Sequence, residues 1–150
     1  MMPVFLSFAV LSCCGATLMA QTSQTNAPAE SAKLPTTIVD WQQMKPEAVT
    51  NGVRRFVLEG PTAGVDKLHC HITTLNPGEI SGAPRLHLHE EIIIVKEGRI
   101  EASYDGHKQT VGPGSVIFFA AHATTSLKNV GPTPATYTVV YYLTPSTPKS

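Results

Sequence analysis

The sequence predicts an all-β protein with a single domain. Among its 150 residues are 11 glycines and 12 prolines, and these turn-forming residues lie between short runs rich in β-branched side chains. No stretch keeps apolar residues at helical spacing over three turns. Removing an N-terminal leader would leave roughly 130 residues, the size of one domain with one core. Lysine plus arginine number 11 and aspartate plus glutamate also 11, without any charged run, so the composition predicts no nucleic-acid binding, which requires a basic surface.

The first twenty residues have the character of an export signal. No charged residue precedes Glu30, and the segment from Val4 to Ala20 is mostly apolar. This segment is too short and too interrupted for a transmembrane helix, which needs about 20 apolar residues. We predict a signal peptide at 1–20, cleaved after Ala20, and a polar linker at 21–36. The processed chain is then periplasmic or secreted, with no transmembrane span.

Two alternatives to this cleavage remain open at the sequence level. The segment could stay as an uncleaved membrane anchor. The run Val10-Leu11-Ser12-Cys13 also resembles a bacterial lipoprotein box, in which the chain is cut before Cys13 and anchored through a lipid on that cysteine. Both alternatives also predict a location outside the cytoplasm.

An N-terminal segment, residues 37–52, precedes the predicted barrel. Its first part, Thr37 to Lys45, carries Trp41 and Met44 and is stopped by Pro46. Proline cannot continue a helix that begins before it, so a short helix is predicted here. We expect this helix to pack one aromatic side chain against the barrel.

Eight short strands are predicted between residues 53 and 144, each bounded by turn signals such as Asp105-Gly106. No crossover helices fit between them, which excludes a doubly wound α/β sheet. The pattern predicts a closed or sandwich-like barrel of jelly-roll type at 53–144, followed by a tail at 145–150. The predicted strands are Val53 to Leu58, Lys67 to Leu75, Leu86 to Lys96, Arg99 to Tyr104, His107 to Val111, Val116 to Phe119, Thr124 to Lys128 and Thr136 to Leu143.

This pattern does not decide which alternate residues of each strand face the core. Several strands are apolar at consecutive positions, so either set of alternate residues could be buried. We expect the packed positions to include Ile92, Ile94, Val116, Phe118, Val139 and Tyr141.

The segment from Arg85 to Gly98 carries the residues of greatest chemical interest. Alternate residues of an extended strand share a face, so Arg85, His87, His89 and Glu91 would project to the same side. Two imidazoles and a carboxylate on one face suit a divalent metal. A surface strand with a polar outer face would give the same alternation, and both interpretations stay open at this point.

These residues resemble the first motif of the cupin superfamily, in which a His-x-His pair is followed by a glutamate and, seven positions later, a glycine. His87, Glu91 and Gly98 match the pattern, while Arg85 stands where the first histidine belongs. The resemblance covers about residues 56–143. It implies a double-stranded β-helix, the jelly-roll barrel of that superfamily.

The second cupin motif is matched only in part. Gly114 and Asn129 agree with it, whereas Thr125 stands at the position of the motif histidine and His122 lies three positions earlier. The set of three histidines and one glutamate that the family uses for a metal is therefore reduced to His87 and Glu91.

The resemblance implies a small-molecule-binding barrel, with two hypotheses for its site. In the first, His87, His89, Glu91 and His122 form a rebuilt site for Zn, Mn, Fe or Ni, and the protein is a metal-dependent enzyme. In the second, Arg85 replaces the metal by pairing with Glu91 and binds an anionic ligand such as a carboxylate. The second protein would be a metal-free binding or structural barrel. No catalytic residue is named by either hypothesis, and a homodimer through edge strands is expected, as in many cupins.

A second group of residues lies on the predicted strand Lys67 to Leu75. His69 and His71 share a face and would line the same cavity if that face points inward; the alternative is a pair of partly buried, hydrogen-bonded histidines. Cys70 is the one cysteine left after cleavage at Ala20, so no intramolecular disulfide is predicted. We interpret it as a small buried hydrophobe rather than a reactive thiol.

Overall fold

The computed structural model describes residues 32–148 of the chain. The predicted leader and the alternative lipidation site at Cys13 lie outside these residues. The described part contains a 3₁₀ turn at Trp41–Gln43 and the strands β1 Pro46–Val49, β2 Gly52–Gly60, β3 Lys67–Leu75, β4 Arg85–Leu86, β5 Glu91–Glu97, β6 Ile100–Tyr104, β7 His107–Val111, β8 Val116–Phe119, β9 Thr124–Asn129 and β10 Ala135–Leu143. No helix within it is long and apolar enough to span a membrane.

The strands form two antiparallel sheets that pack on one core, which confirms the predicted all-β jelly-roll fold. The larger sheet has the order β1-β2-β3-β10-β5-β8 and the smaller one β4-β9-β6-β7. Each sheet includes neighbours that are distant in sequence, such as β3 with β10 and β6 with β9. Long connections between the sheets are typical of a jelly roll.

The predicted strand Leu86 to Lys96 is divided in two, which corrects the sequence interpretation. Arg85–Leu86 pair with β9 in the small sheet, whereas Glu91–Glu97 pair with β8 and β10 in the large one. The backbone bends between residues 87 and 90. The chain therefore passes from one sheet to the other at His87 and His89.

The N-terminal segment is less helical than predicted. The helix expected at Thr37 to Lys45 is the single turn Trp41–Gln43. The Asp40 side chain caps this turn by accepting a hydrogen bond from Gln42 N at 2.7 Å. Residues 46–49 form the strand β1 on the edge of the large sheet.

Trp41 packs on the outer face of the large sheet, as expected of an aromatic in this segment. Lys96 Nζ lies 3.8 Å and Arg55 Cζ 4.7 Å from the centroid of its rings. Both cations are attracted to the electron-rich face of the indole ring by cation–π interactions. The segment before β1 is thereby attached to β2 and β5.

The core consists of alternate residues from both sheets, among them Leu75, Ile93, Ile100, Leu127 and Tyr137. In β5 and β8 the buried set is Ile93, Val95 and Phe119, so the expected packing of the opposite set is wrong. Val116 is 65% exposed and Phe118 61% exposed. Of the expected core positions, Val139 is buried and Tyr141 half-buried, while the four exposed ones are Ile92, Ile94, Val116 and Phe118.

Asn129 is a fully buried polar residue at the end of β9. Its Nδ2 donates hydrogen bonds to Leu75 O at 3.1 Å and Thr133 O at 2.8 Å, and its Oδ1 accepts one from Gly131 N at 2.9 Å. Buried polar groups are stable when they are hydrogen-bonded in this way. One side chain thus joins the end of β3 to the turn before β10.

Gly98 makes the turn between β5 and β6 with a φ of 82°. A Cβ at this position would lie 2.5 Å from the Cβ of Ala135. Both the left-handed backbone and the close approach of β10 require glycine at this position, which accounts for the glycine that ends the first motif.

Candidate metal and ligand site

Three of the predicted site residues lie together between the sheets. Ligand atoms of His87, His89 and Glu91 are all within 4.8 Å of one another. Glu91 Oε1 is 3.2 Å from His87 Nδ1 and 3.4 Å from His89 Nε2. Glu91 begins β5, whereas both histidines lie in the bend before it, so the crossing of the chain between the sheets brings these side chains together.

The buried nitrogen atoms of this cluster are suited to metal binding. His89 Nε2 is buried and has no hydrogen-bond partner in the described chain, which is costly for a polar atom unless another ligand satisfies it. Burial lowers the pKa of His87, a shift that Glu91 opposes and that the Arg85 cation and His89 reinforce. Neutral imidazole is the form that ligates a metal, so two imidazoles and one carboxylate fit a divalent first-row ion.

The other two predicted residues lie at the edge of this cluster. His122 is exposed with a φ of 67°, and its backbone N–H donates to His87 O at 2.6 Å, but its side chain is not part of the described three-residue group. Arg85 is also exposed and lines the cavity beside His87. Within residues 32–148 Arg85 forms no ion pair with Glu91, the pairing on which the metal-free hypothesis depends.

Thr125 occupies the position of the missing motif histidine. It is buried, pairs with Arg85 across β4 and β9, and faces the same cavity. Its single hydroxyl replaces an imidazole there. The cluster on this side of the barrel therefore has three nitrogen and oxygen donors from the bend and β5.

A second polar cluster lies on β2 and β3, beside the first. His69 Nδ1 is 2.6 Å from Glu59 Oε2, and His69 Nε2 is 2.9 Å from His71 Nδ1. Lys67 Nζ lies 3.2 Å from the other oxygen of the same carboxylate. His69 and His71 share the inner face of β3, so the two histidines are both hydrogen-bonded to each other and part of the cavity wall.

Tyr141 separates the two clusters. Its ring stacks on His69 with centroids 4.6 Å apart and tilts against His89 at 4.4 Å. In β10 it pairs with His69 on one side and Glu91 on the other. The register of three neighbouring strands thus places both histidine clusters around one aromatic ring.

Two connected spaces adjoin these side chains. An inner cavity of about 190 Å³ extends toward Tyr137 and Thr125, and a larger cleft of about 750 Å³ extends toward Leu143 and Thr147. The residues that line both are Arg54, His71, Arg85, His87 and Glu91. Two cations, two imidazoles and a carboxylate therefore surround the passage between them.

Sequence reasoning missed Glu59 and Arg54 in this region and predicted Tyr141 only as a packed position. They are placed here by the pairing of β2 with β3 and of β10 with β5, which a single sequence does not reveal.

Cys70 points away from the cavity on β3, is half-buried, and has a pKa raised by burial, in keeping with its interpretation as an unreactive thiol.

The described residues form a jelly-roll β-barrel with a histidine and carboxylate cluster on its cavity wall. Residues 71–141 match the family described as the cupin domain. These residues form a cupin domain, as the motif resemblance predicted. No curated protein shows a significant sequence match to it.

Solved structures of cupins share the fold at low sequence identity. An RmlC-like cupin from Shewanella frigidimarina is 18% identical, with a TM-score of 0.61 over 75% of this chain and 95% of its own. A protein described as a predicted oxalate decarboxylase from Thermotoga maritima is 18% identical, with a TM-score of 0.61 over 71% and 99%. The polyketide cyclase RemF from Streptomyces resistomycificus is 20% identical, with a TM-score of 0.60 over 72% and 80%. These likenesses establish the fold, which hosts diverse chemistry.

Proposed function

We propose that this protein is a small-molecule cupin whose His87, His89 and Glu91 hold a divalent first-row metal. The observation that carries the proposal is the buried, unpartnered Nε2 of His89, which lies beside the carboxylate of Glu91. Three protein ligands leave coordination positions open, which is the arrangement of catalytic rather than structural metal sites. A bound metal would supply Lewis-acid or oxygen-activating chemistry to a ligand in the cavity.

The ligand that this cavity fits best is a small anion such as a carboxylate. Arg54 and Arg85 line both the inner cavity and the cleft, and a guanidinium binds a carboxylate through paired hydrogen bonds. In this proposal Arg85 binds the ligand and does not replace the metal, because Glu91 Oε1 is already beside two imidazoles.

Metal analysis of protein purified without a histidine tag tests the proposal. The wild type should bind Zn, Mn, Fe or Ni in calorimetry, and binding should be lost in His87→Ala and Glu91→Ala and weakened in His89→Ala. His107→Ala provides a matched control, since His107 is exposed and stacks on Tyr104 at the far sheet. His122→Ala shows whether that exposed histidine acts as a supporting ligand, in which case binding weakens slightly.

A wild type that binds none of the four metals contradicts the proposal. The metal-free alternative then becomes the better account, and Arg85→Ala is the informative change. If Arg85 and Glu91 form a buried pair in solution, the substitution should cost roughly 3 to 5 kcal/mol of stability. Unchanged stability would reject that alternative as well.

We also propose that the protein is exported and that its mature form begins near Gln21. The support is the charge-free apolar segment that ends in the small residue Ala20 before a polar linker. Mass spectrometry of the exported protein should find an N-terminus near Gln21. An intact Met1 would indicate the uncleaved anchor, and a lipid on Cys13 the lipoprotein pathway.

As the third part of the proposal, the protein forms a homodimer in which a second copy covers the outer face of β5 and β8. Ile92, Ile94, Val116 and Phe118 expose large apolar side chains there, and β8 is an edge strand of the large sheet. Clustered apolar side chains and an unpaired edge favour self-association about a twofold axis. Sedimentation should show a dimer that Phe118→Lys dissociates, whereas Tyr104→Lys, at an exposed aromatic of the other sheet, should not; a monomeric wild type contradicts the proposal.

A further inference from the structure

The Glu59, His69 and His71 cluster has the geometry of a chain of proton donors and acceptors. The contacts are consecutive: carboxylate to His69 Nδ1 at 2.6 Å, then His69 Nε2 to His71 Nδ1 at 2.9 Å. A carboxylate only accepts hydrogen bonds, so His69 carries a proton on Nδ1. In its neutral form His69 then accepts at Nε2, and His71 must donate from Nδ1.

This assignment leaves the last nitrogen of the chain, His71 Nε2, without a proton. His71 lines both the inner cavity and the cleft, in the same wall as Arg54 and Glu91. Within residues 32–148 its Nε2 makes no hydrogen bond. A lone pair on a fixed imidazole at the cavity wall is what a general base requires.

We propose that Glu59, His69 and His71 form a proton relay that presents His71 Nε2 as a general base to a ligand in the cavity. His71 is the catalytic residue of this relay, while His69 and Glu59 are positioning residues that fix its tautomer. The inference rests on the proposed function only in that a small molecule occupies the cavity. It does not depend on a metal.

The proton transfers balance within the relay. The lone pair of His71 Nε2 takes a proton from an acidic O–H or C–H group, and the electron pair of the broken bond stays on the ligand as an anion, next to Arg54 and Arg85. His71 then gives its Nδ1 proton to His69 Nε2. His71 ends neutral with a proton on Nε2, and His69 ends as an imidazolium beside the carboxylate of Glu59.

The charges around the relay keep both of its ends in the protonation states with which the transfer begins. Burial, with the nearby Arg54 and His69, lowers the pKa of His71 to about 4, which keeps its ring neutral at neutral pH. The hydrogen bond from His69 lowers the pKa of Glu59, followed by the contact with Lys67. The carboxylate therefore remains charged and stabilises the imidazolium at the outer end.

Nuclear magnetic resonance of metal-free, ¹⁵N-labelled protein tests the tautomers directly. Long-range proton-nitrogen spectra at neutral pH should show His69 and His71 each protonated on Nδ1 and not on Nε2. In His69→Phe the ring stack on Tyr141 is kept but both nitrogens are removed, so His71 should shift toward the Nε2-protonated tautomer of a free imidazole. His107→Phe should leave the His71 signals unchanged.

Acylation by diethylpyrocarbonate, which attacks unprotonated imidazole nitrogens, tests whether this atom is available as a base. Mass spectrometry should find His71 modified, severalfold more slowly in Glu59→Gln, where the carboxylate charge is lost. Lys67→Gln is the matched control, because Lys67 contacts the other carboxylate oxygen, and its rate should be unchanged. Circular dichroism of each variant checks that the fold is kept.

A proton on His71 Nε2 in the wild type, or a His71 that is not acylated, overturns the relay. An acylation rate unaffected by Glu59→Gln removes Glu59 from it. Because these measurements use metal-free protein, their failure leaves the metal proposal intact, and failure of metal binding leaves the relay intact.

Discussion

Replacing Asn129 by alanine should lower the free energy of unfolding by about 3 kcal/mol, since the substitution removes three hydrogen bonds from a fully buried site. Each such bond contributes roughly 0.5 to 1.5 kcal/mol. The partners Leu75 O, Thr133 O and Gly131 N–H would also lose their acceptor or donor, which adds to the loss. For a domain near 100 residues, each kcal/mol corresponds to about 4 to 8 °C in Tm, so Tm should fall by about 12 to 24 °C.

Urea unfolding followed by circular dichroism measures this change, with a lower midpoint and an unchanged slope. Asn76→Ala is the matched control, because Asn76 is exposed and its side chain makes no hydrogen bond within residues 32–148. Its effect should stay within about 0.5 kcal/mol. Asn129→Asp should be worse than Asn129→Ala, since a second carboxylate oxygen would face the carbonyls of Leu75 and Thr133. A loss below about 1 kcal/mol in Asn129→Ala would refute the role assigned to this side chain.

Three further predictions follow from other sites. Gly98→Ala should destabilise the protein by more than Gly106→Ala in urea unfolding, because both have positive φ but only the first would place a Cβ against Ala135. In urea unfolding, stability should fall as pH drops from 6.5 to about 4, because His71, with a folded pKa of about 4, binds fewer protons in the folded than in the unfolded protein. The loss from this residue is at most about 3 kcal/mol before solvent screening. His71→Gln should remove this part of the pH dependence. Zinc at a hundredfold excess over Kd should raise stability by about 2.7 kcal/mol in thermal unfolding of the wild type, and not in Glu91→Gln.

The strand positions could be predicted from the sequence because turns have local chemical signatures. Asp105 and Gly106 connect β6 to β7 with positive φ at both residues, as the Asp-Gly pair predicts. The division of the strand at residues 87–90 could not be predicted, since no glycine or proline marks that bend. It depends on the pairing of β4 and β5 with different sheets, which is a tertiary effect.

Which alternate residues of β5 are buried could have been decided from the sequence itself. The run Ile92-Ile93-Ile94-Val95 is apolar on both faces, so hydrophobicity alone does not select the buried set. The alternation of side chains along a strand selects the buried set once Glu91 is placed toward the cavity, because Ile93 and Val95 must then face the same side. The expectation that Ile92 and Ile94 pack in the core was inconsistent with the predicted direction of Glu91.

The cluster of His87, His89 and Glu91 could be predicted from the sequence because its three members lie within five residues. Their alternation predicted a common side, and the structure brings these side chains together although the backbone is not a regular strand there. The relay partner Glu59 was not accessible, since it lies ten residues from His69 and meets it only through the pairing of β2 with β3. For His122, closeness in sequence was misleading. It lies three positions from the motif position, but its side chain is exposed and outside the cluster.

Trp41 is the one tryptophan of the whole chain, and it is held between Lys96 and Arg55 on the outer surface of the barrel. Its fluorescence therefore reports on the attachment of the N-terminal segment and not on the interior. If that segment detaches before the sheets melt, the emission transition will occur at a lower denaturant concentration than the circular dichroism transition, which breaks the coincidence expected of a two-state protein. Comparing the two signals measures separately how firmly the segment is held and how stable the barrel is.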